Sequence, residues 1–197
     1  MVVEIDWHKF KKPNKYPNYQ TEEICLEAVK QQNGWWLRCV INQTEEICLT
    51  AVSCRGANLR YVKNQTPEIC LAAIRENGLA IDDVKNQTPE LCMEAVRENG
   101  FAIEYIQNQT PELCMAAIRE NGLAINDVEN QTPELCMEAV KNDGEALWYI
   151  KEQTPDICLT ALRNKWSKEV YSQINIPIEG EFLKEINKMK LLYGPLI

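Results

Sequence analysis

Six cysteines, Cys48, Cys70, Cys92, Cys114, Cys136 and Cys158, follow one another at intervals of 22 residues, and Thr44, Thr66, Thr88, Thr110, Thr132 and Thr154 keep the same step. A fixed period of this length marks a repeat array, in which each short unit can bury its apolar face only against its neighbours. Seven copies can be traced, beginning at Gln20, Gln43, Gln65, Gln87, Gln109, Gln131 and Gln153. The first carries one extra residue ahead of Gly34, and the last has Trp166 where its glycine belongs. Irregular ends of this kind are those of capping repeats.

Each copy carries its own punctuation, clearest between Gln87 and Asn108. Thr88 can accept from a free backbone N–H, Pro89 suits a first helical position that needs no donor, and Glu90 faces the positive end of the helix dipole. The pattern predicts a helix of about eleven residues ending at Asn99, with Gly100 closing it in the left-handed conformation. Phe101 to Gln107 then places Ala102, Ile103 and Ile106 at helical spacing and predicts a second, shorter helix. Leu91, Cys92, Ala95 and Val96 share one face of the first helix, where the small Cys92 and Ala95 let a neighbour approach closely. Alanine recurs at that point in every copy: Ala28, Ala51, Ala73, Ala95, Ala117, Ala139 and Ala161.

The expected fold is therefore all-α, an α-solenoid of seven 22-residue helix-turn-helix repeats over residues 20–164. Residues 1–19 are expected to form an irregular or partly helical N-terminal cap. Residues 165–197 form a C-terminal capping segment, broken at Ile176 to Gly180, with a terminal helix from about Glu181 to Leu192 whose apolar stripe is Phe182, Ile186, Met189 and Tyr193, with Leu183 beside it. A weaker period of 44 overlies the first: five residues past the glycine stand Tyr61, Tyr105 and Tyr149 in even copies, but Cys39, Asp83 and Asp127 in odd ones. Alternating surroundings and mere descent from a duplicated 44-residue ancestor explain this equally well.

The thiol ladder does not read as a metal site. Zinc ligands come in close pairs with histidine nearby, whereas these stand a repeat apart and His8 is the sole histidine. A buried structural thiol, acting as a small hydrophobe, is the better reading, with Cys39 and Cys54 outside the ladder. The five Asn-Gln-Thr triplets from Asn42 to Asn130 match a glycosylation pattern, but four precede proline and the threonine already has a capping task. Their Asn and Gln side chains are expected to bond backbone groups at the hairpin junctions as a ladder along one edge. No phosphate loop, zinc-protease motif, nucleophile elbow or Cys/His pair is present, so an enzyme is not expected and no cofactor is implied.

The formal net charge of −8 argues against direct nucleic-acid binding, which needs clustered Lys and Arg. Residues 20–164 hold 23 Asp and Glu against 12 Lys and Arg, a net of −11, while the two ends sum to +3. Neither a basic apolar leader nor a run of membrane-spanning length is evident, so a cytoplasmic protein with no membrane partner is expected.

The unit Thr-Pro-Glu-Ile/Leu-Cys, followed by Ala-Val/Ile and then Asn-Gly-x-Ala-Ile/Leu, resembles a family of short helical repeats of unknown function found in bacteria and in giant viruses of amoebae. The likeness covers about residues 20–164 and is most specific in the Asn-Gly-x-Ala-Ile stretch. It implies a helical array, and a viral or bacterial source, but no activity, cofactor or catalytic residue. The first copy departs from it at Gly34-Trp35-Trp36-Leu37 and the second at Ala57-Asn58-Leu59.

Such an array presents an extended surface, so the expected function is a non-enzymatic scaffold for a protein partner. Candidate contact residues are Tyr61, Tyr105 and Tyr149, whose rings give area with a polar tip, together with Asp82, Asp83 and Glu104. Core packing is the competing role for the three tyrosines. Two other functions fit the sequence: a self-associating assembly component, forming a homo-oligomer in a virion or elsewhere, and an acidic mimic of nucleic acid that inhibits a basic protein.

Overall fold

The structure, a computed structural model, describes residues 4–12, 15–16 and 18–195, and among these the regular structure is entirely helical. The chain divides into two compact units, Met1–Glu98 and Asn99–Ile197. In the first, α1 (Trp7–Phe10) precedes α2 (Glu22–Lys30), α3 (Glu45–Cys54), α4 (Pro67–Glu76) and α5 (Pro89–Glu98). Each of α2, α3 and α4 is followed by a 3-10 helix: Gln31–Cys39, Gly56–Tyr61 and Gly78–Asp83. The second unit alternates the 3-10 helices Gly100–Tyr105, Gly122–Asp127 and Gly144–Tyr149 with α6 (Pro111–Glu120), α7 (Pro133–Asn142) and α8 (Pro155–Asn164). It ends in α9 (Lys168–Ser172) and α10 (Gly180–Tyr193). Within each unit α-helix packs on successive α-helix and 3-10 helix on successive 3-10 helix, which makes each a short two-layered solenoid.

The α-helices begin where the threonines put them. Thr21, Thr44, Thr66, Thr88, Thr110, Thr132 and Thr154 each accept from the amide three residues on, at 3.3 to 3.4 Å. Glu90 takes a hydrogen bond from its own amide and one from the Thr88 hydroxyl, which together hold its carboxyl below the usual range. The apolar face is buried as expected, with Leu113, Cys114, Ala117 and Ile118 inside in α6.

The second helix of each hairpin differs from expectation in kind. It is a six-residue 3-10 helix in five of the copies, with bonds such as Ala124 N–H to the Asn121 carbonyl at 3.0 Å. Spacing of three and four serves either helix, but three residues per turn stack Gly122, Ile125 and Val128 on one buried edge. Extended residues close both ends: Asn121 at φ −147° accepts from Leu123 N–H at 3.0 Å, and Val128 has ψ 119°.

The glycine also does a different job. Among the described glycines only Gly34, Gly180 and Gly194 have positive φ, so Gly100, Gly122 and Gly144 do not close α-helices in the left-handed conformation. They are needed for contact: a Cβ on Gly122 would lie 2.7 Å from the Ala139 carbonyl oxygen, and one on Gly144 2.6 Å from that of Ala161. Glycine of one repeat thus meets the invariant alanine of the next, whose own side chain is fully buried. In three copies the glycine N–H is also taken up by the last residue of the following α-helix, Gly56 by Glu76, Gly122 by Asn142 at 3.0 Å and Gly144 by Asn164 at 2.9 Å.

The ladder of amides is built by glutamine. Gln109 Nε2 donates to the carbonyls of Ile103 at 3.0 Å and Asp127 at 2.9 Å, while its Oε1 accepts from Glu129 N–H at 3.0 Å and faces the Cys114 thiol at 4.0 Å. Gln43, Gln65, Gln131 and Gln153 repeat the arrangement, and Gln20 ties Phe10, Cys39 and Ile41 together. The asparagines beside them do not join: Asn42, Asn64, Asn86, Asn108 and Asn130 are exposed. The clamp is indifferent to the weak 44-residue pattern. Position five after the glycine contributes its carbonyl, from Tyr61, Asp83, Asp127 or Tyr149, so its half-exposed side chain is free to vary.

The two copies that depart from the repeat keep their second helices by compensation. The extra residue of the first is absorbed at Asn33 (φ 54°) and Gly34 (φ 78°). Asn58, standing where later copies have alanine, is 2% exposed and donates to the carbonyls of Asn33 and Ala51, both at 2.8 Å. At the N-terminal end Trp7 stacks on Trp36 at 4.7 Å between ring centroids, and Ile5 and Phe10 are buried. At the other end α9, capped by Ser167, stands where the seventh repeat's 3-10 helix belongs, with Gln153 donating to the Gln173 carbonyl at 2.9 Å. Helix α10 lies against α8 and buries Phe182, Ile186 and Met189. Tyr193 and Leu183 do not join that stripe: they are 57% and 41% exposed, and Tyr193 instead leans on Trp166 at 5.9 Å.

Candidate interaction surface

The seven thiols of the ladder, Cys25 included, are buried and unbridged, and burial raises each of their pKa values. Cys25 and Cys158 are pushed up to about 11 from an ordinary 9.0. A thiol that ionises so late is a poor nucleophile and a poor metal ligand at neutral pH. Two outcomes are expected. In the folded protein a thiol reagent labels Cys54, which is exposed, and Cys39, which is half-buried, while the other seven react only on unfolding; rapid labelling of all nine would contradict the burial. Because the folded pKa values lie above the unfolded ones, this contribution to stability is intact below pH 9.0 and is lost as pH climbs towards about 11. The urea midpoint should therefore fall across that window, and less steeply in a Cys25→Ala/Cys158→Ala variant; parallel curves would sink the linkage.

The residues picked from sequence lie on the 3-10 layers of the two units. In the first, Tyr61 is half-buried beside Trp35, Arg55 and Arg60, Asp82 is exposed, and the Asp83 carboxylate receives Arg60 at 3.2 Å. In the second, Tyr105 is half-buried, Glu104 exposed, and Tyr149 37% exposed. None of the three tyrosines is core. The structure brings Tyr149 into a cavity, and leaves Tyr61, Asp82 and Asp83 in the other unit.

That cavity, about 370 Å³, lies between the last 3-10 helix and α9. Leu123, Trp148, Tyr149 and Val170 supply its apolar walls, with Glu145, Glu169 and Gln173 among its polar ones. Trp148 is 65% exposed, more than any other tryptophan or tyrosine of the repeats. Position four after the glycine is Arg38, Arg60, Asp82, Glu104 and Asn126 in the other copies. A tryptophan in a register otherwise kept for solvent-facing polar groups has no packing duty, and comparing copies at that position would have picked it out.

The electrostatics of the layer in the second unit are one-sided. Its 3-10 helices carry Glu104, Asp127 and Glu145 and no Lys or Arg. Partial burial raises the Asp127 pKa, the Asn126 amide at 2.7 Å lowers it, and the Glu104 charge raises it further. Lys165 reaches Glu145 from the start of the C-terminal segment, and that carboxylate raises the lysine's pKa.

Residues 110–154 match a domain of unknown function, DUF4116. The stretch spans two repeats of this chain, from Thr110 through Thr132 to Thr154, and the chain is similar there to a family of uncharacterised function. No curated protein and no solved structure matches the chain. Among the described residues no helix is long and apolar enough to cross a membrane.

Proposed function

We propose that this chain is a non-enzymatic repeat protein whose 3-10 layer docks another protein, in the cytoplasm of a bacterium or of a cell infected by a giant virus. The observation that carries the reading is Trp148: a large aromatic side chain held in solvent on a 3-10 helix, beside a cavity with Tyr149, is the kind of residue that dominates binding energy at protein interfaces. The α-helical layer supports a structural part instead, its exposed faces being tied by surface ion pairs such as Arg119 to Glu138 at 3.1 Å. Nucleic-acid mimicry has less support, since Arg60 neutralises Asp83 in the first unit and Lys165 neutralises Glu145 in the second, interrupting any row of carboxylates.

The test is site-directed photocrosslinking in the organism that encodes the chain, with the reactive residue at position 148 or, as control, at exposed position 119. A discrete adduct from 148 alone, of a mass other than twice 22.7 kDa, is expected. An adduct at twice that mass would replace the reading with self-association, and identical patterns from the two positions would refute a docking role for this face.

A further inference from the structure

We infer that the cavity beside Trp148 receives a lysine or arginine side chain projecting from the partner, an assignment that rests on the docking role of this face and names the chemistry it selects. Three observations converge. The walls include the exposed indole of Trp148 and the Tyr149 side chain, aromatic groups of the kind whose ring quadrupole holds a desolvated ammonium or guanidinium. The charged groups lining the cavity are both carboxylates, Glu145 and Glu169. The layer leading to it, through Glu104 and Asp127, is acidic with no basic side chain on its 3-10 helices, so a cation approaching along it meets a favourable field.

Glu145 is already paired with Lys165, so Glu169 carries the attraction and Glu145 adds only its remaining acceptor positions. Glu169 accepts from its own amide and from the Ser167 hydroxyl at the start of α9, with the charges of Lys165 and Lys168 nearby. A carboxylate has about four acceptor positions, so each retains capacity for an incoming N–H. Leu123 and Val170 suit the methylene stem that a lysine or arginine lays along apolar surface while its head stays polar. The volume of about 370 Å³ exceeds what one side chain fills, leaving room for the backbone that bears it.

The experiment uses the full chain, labelled with nitrogen-15, titrated with the blocked tripeptides Ac-Ala-Lys-Ala-NH2 and Ac-Ala-Arg-Ala-NH2, with the Gln and Leu analogues as neutral probes. The indole N–H of Trp148 is assigned from its disappearance in Trp148→Phe. The cationic peptides are expected to shift that signal and the amides of Val170 and Gln173 in a saturable way, about fivefold more tightly than the Gln peptide. Trp148→Ala and Glu169→Gln, both at exposed positions, should each remove the preference while the remaining spectrum stays that of the folded protein. Equal affinity for the Leu or Gln peptide overturns the cation assignment, as does the absence of any shift. A position-148 crosslink persisting in either case would leave the docking face standing, so the two readings fail separately.

Discussion

Replacing Gly122 by alanine is expected to destabilise the second unit by about 2–3 kcal/mol, the cost of forcing an atom into a packed site. At an open helical position the same change stabilises by about 0.4–1 kcal/mol, because alanine restricts the unfolded chain. The sign is reversed here by contact alone. The new methyl would sit 2.7 Å from the Ala139 carbonyl oxygen and 3.0 Å from the Asp143 amide nitrogen, and backbone atoms of the adjoining repeat cannot turn aside as a side chain would. Gly180 provides the contrast: it has φ +55° with nothing within 4 Å of a built Cβ, so Gly180→Ala carries only the left-handed strain, about 1–2 kcal/mol. Thermal and urea unfolding followed by circular dichroism reads both. A raised midpoint for Gly122→Ala would mean that the repeats do not approach as described.

Removing the Gln109 side chain, as Gln109→Ala, should cost about 2–4 kcal/mol. Three bonds of 2.9 to 3.0 Å are lost at once, and the carbonyls of Ile103 and Asp127 and the Glu129 amide are left without the partner that joined them. Gln109→Glu separates donation from bulk. Its size is right, but the ionised carboxylate faces two carbonyl oxygens and can donate to neither, so its pKa in the folded state is raised. Its penalty should be large at pH 7 and shrink as pH falls, since the protonated acid regains one donor. A Glu variant as stable at pH 7 as the parent would show that the clamp contributes little. The asparagine beside it is the internal control: Asn108 is exposed, and Asn108→Ala should change stability by less than about 0.5 kcal/mol.

These two residues also show why part of the architecture could be read in advance and part could not. Thr88, Pro89 and Glu90 act within one turn of their own helix, and local rules locate such a start. The buried Leu113, Cys114, Ala117 and Ile118 follow from periodicity in the same way. Gly122 looked like a helix terminator because glycine favours that place in isolated helices, yet its demand comes from Ala139 in the next copy. Asn142 and Asn164, which accept the glycine amides, carry no motif at all. Of the proposed contact residues, Tyr149 lies at the cavity; Trp148 beside it carries no motif, and only the polar residues at the same register in five other copies mark it as out of place.

The sequence by itself determined the repeat, its period, the start and buried face of each α-helix, and the assignment of the thiols to packing, because these depend on interactions within a residue's own turn or on side-chain polarity. Only the tertiary structure decided that the second helix is 3-10, that glycine is kept for close approach, and that one glutamine per repeat gathers three backbone groups. Each of those is set by atoms one repeat away. It also decided that Trp148, Tyr149 and α9 line an open cavity, since α9 enters the 3-10 layer where the regular pattern has ended and the letters alone give no register for it.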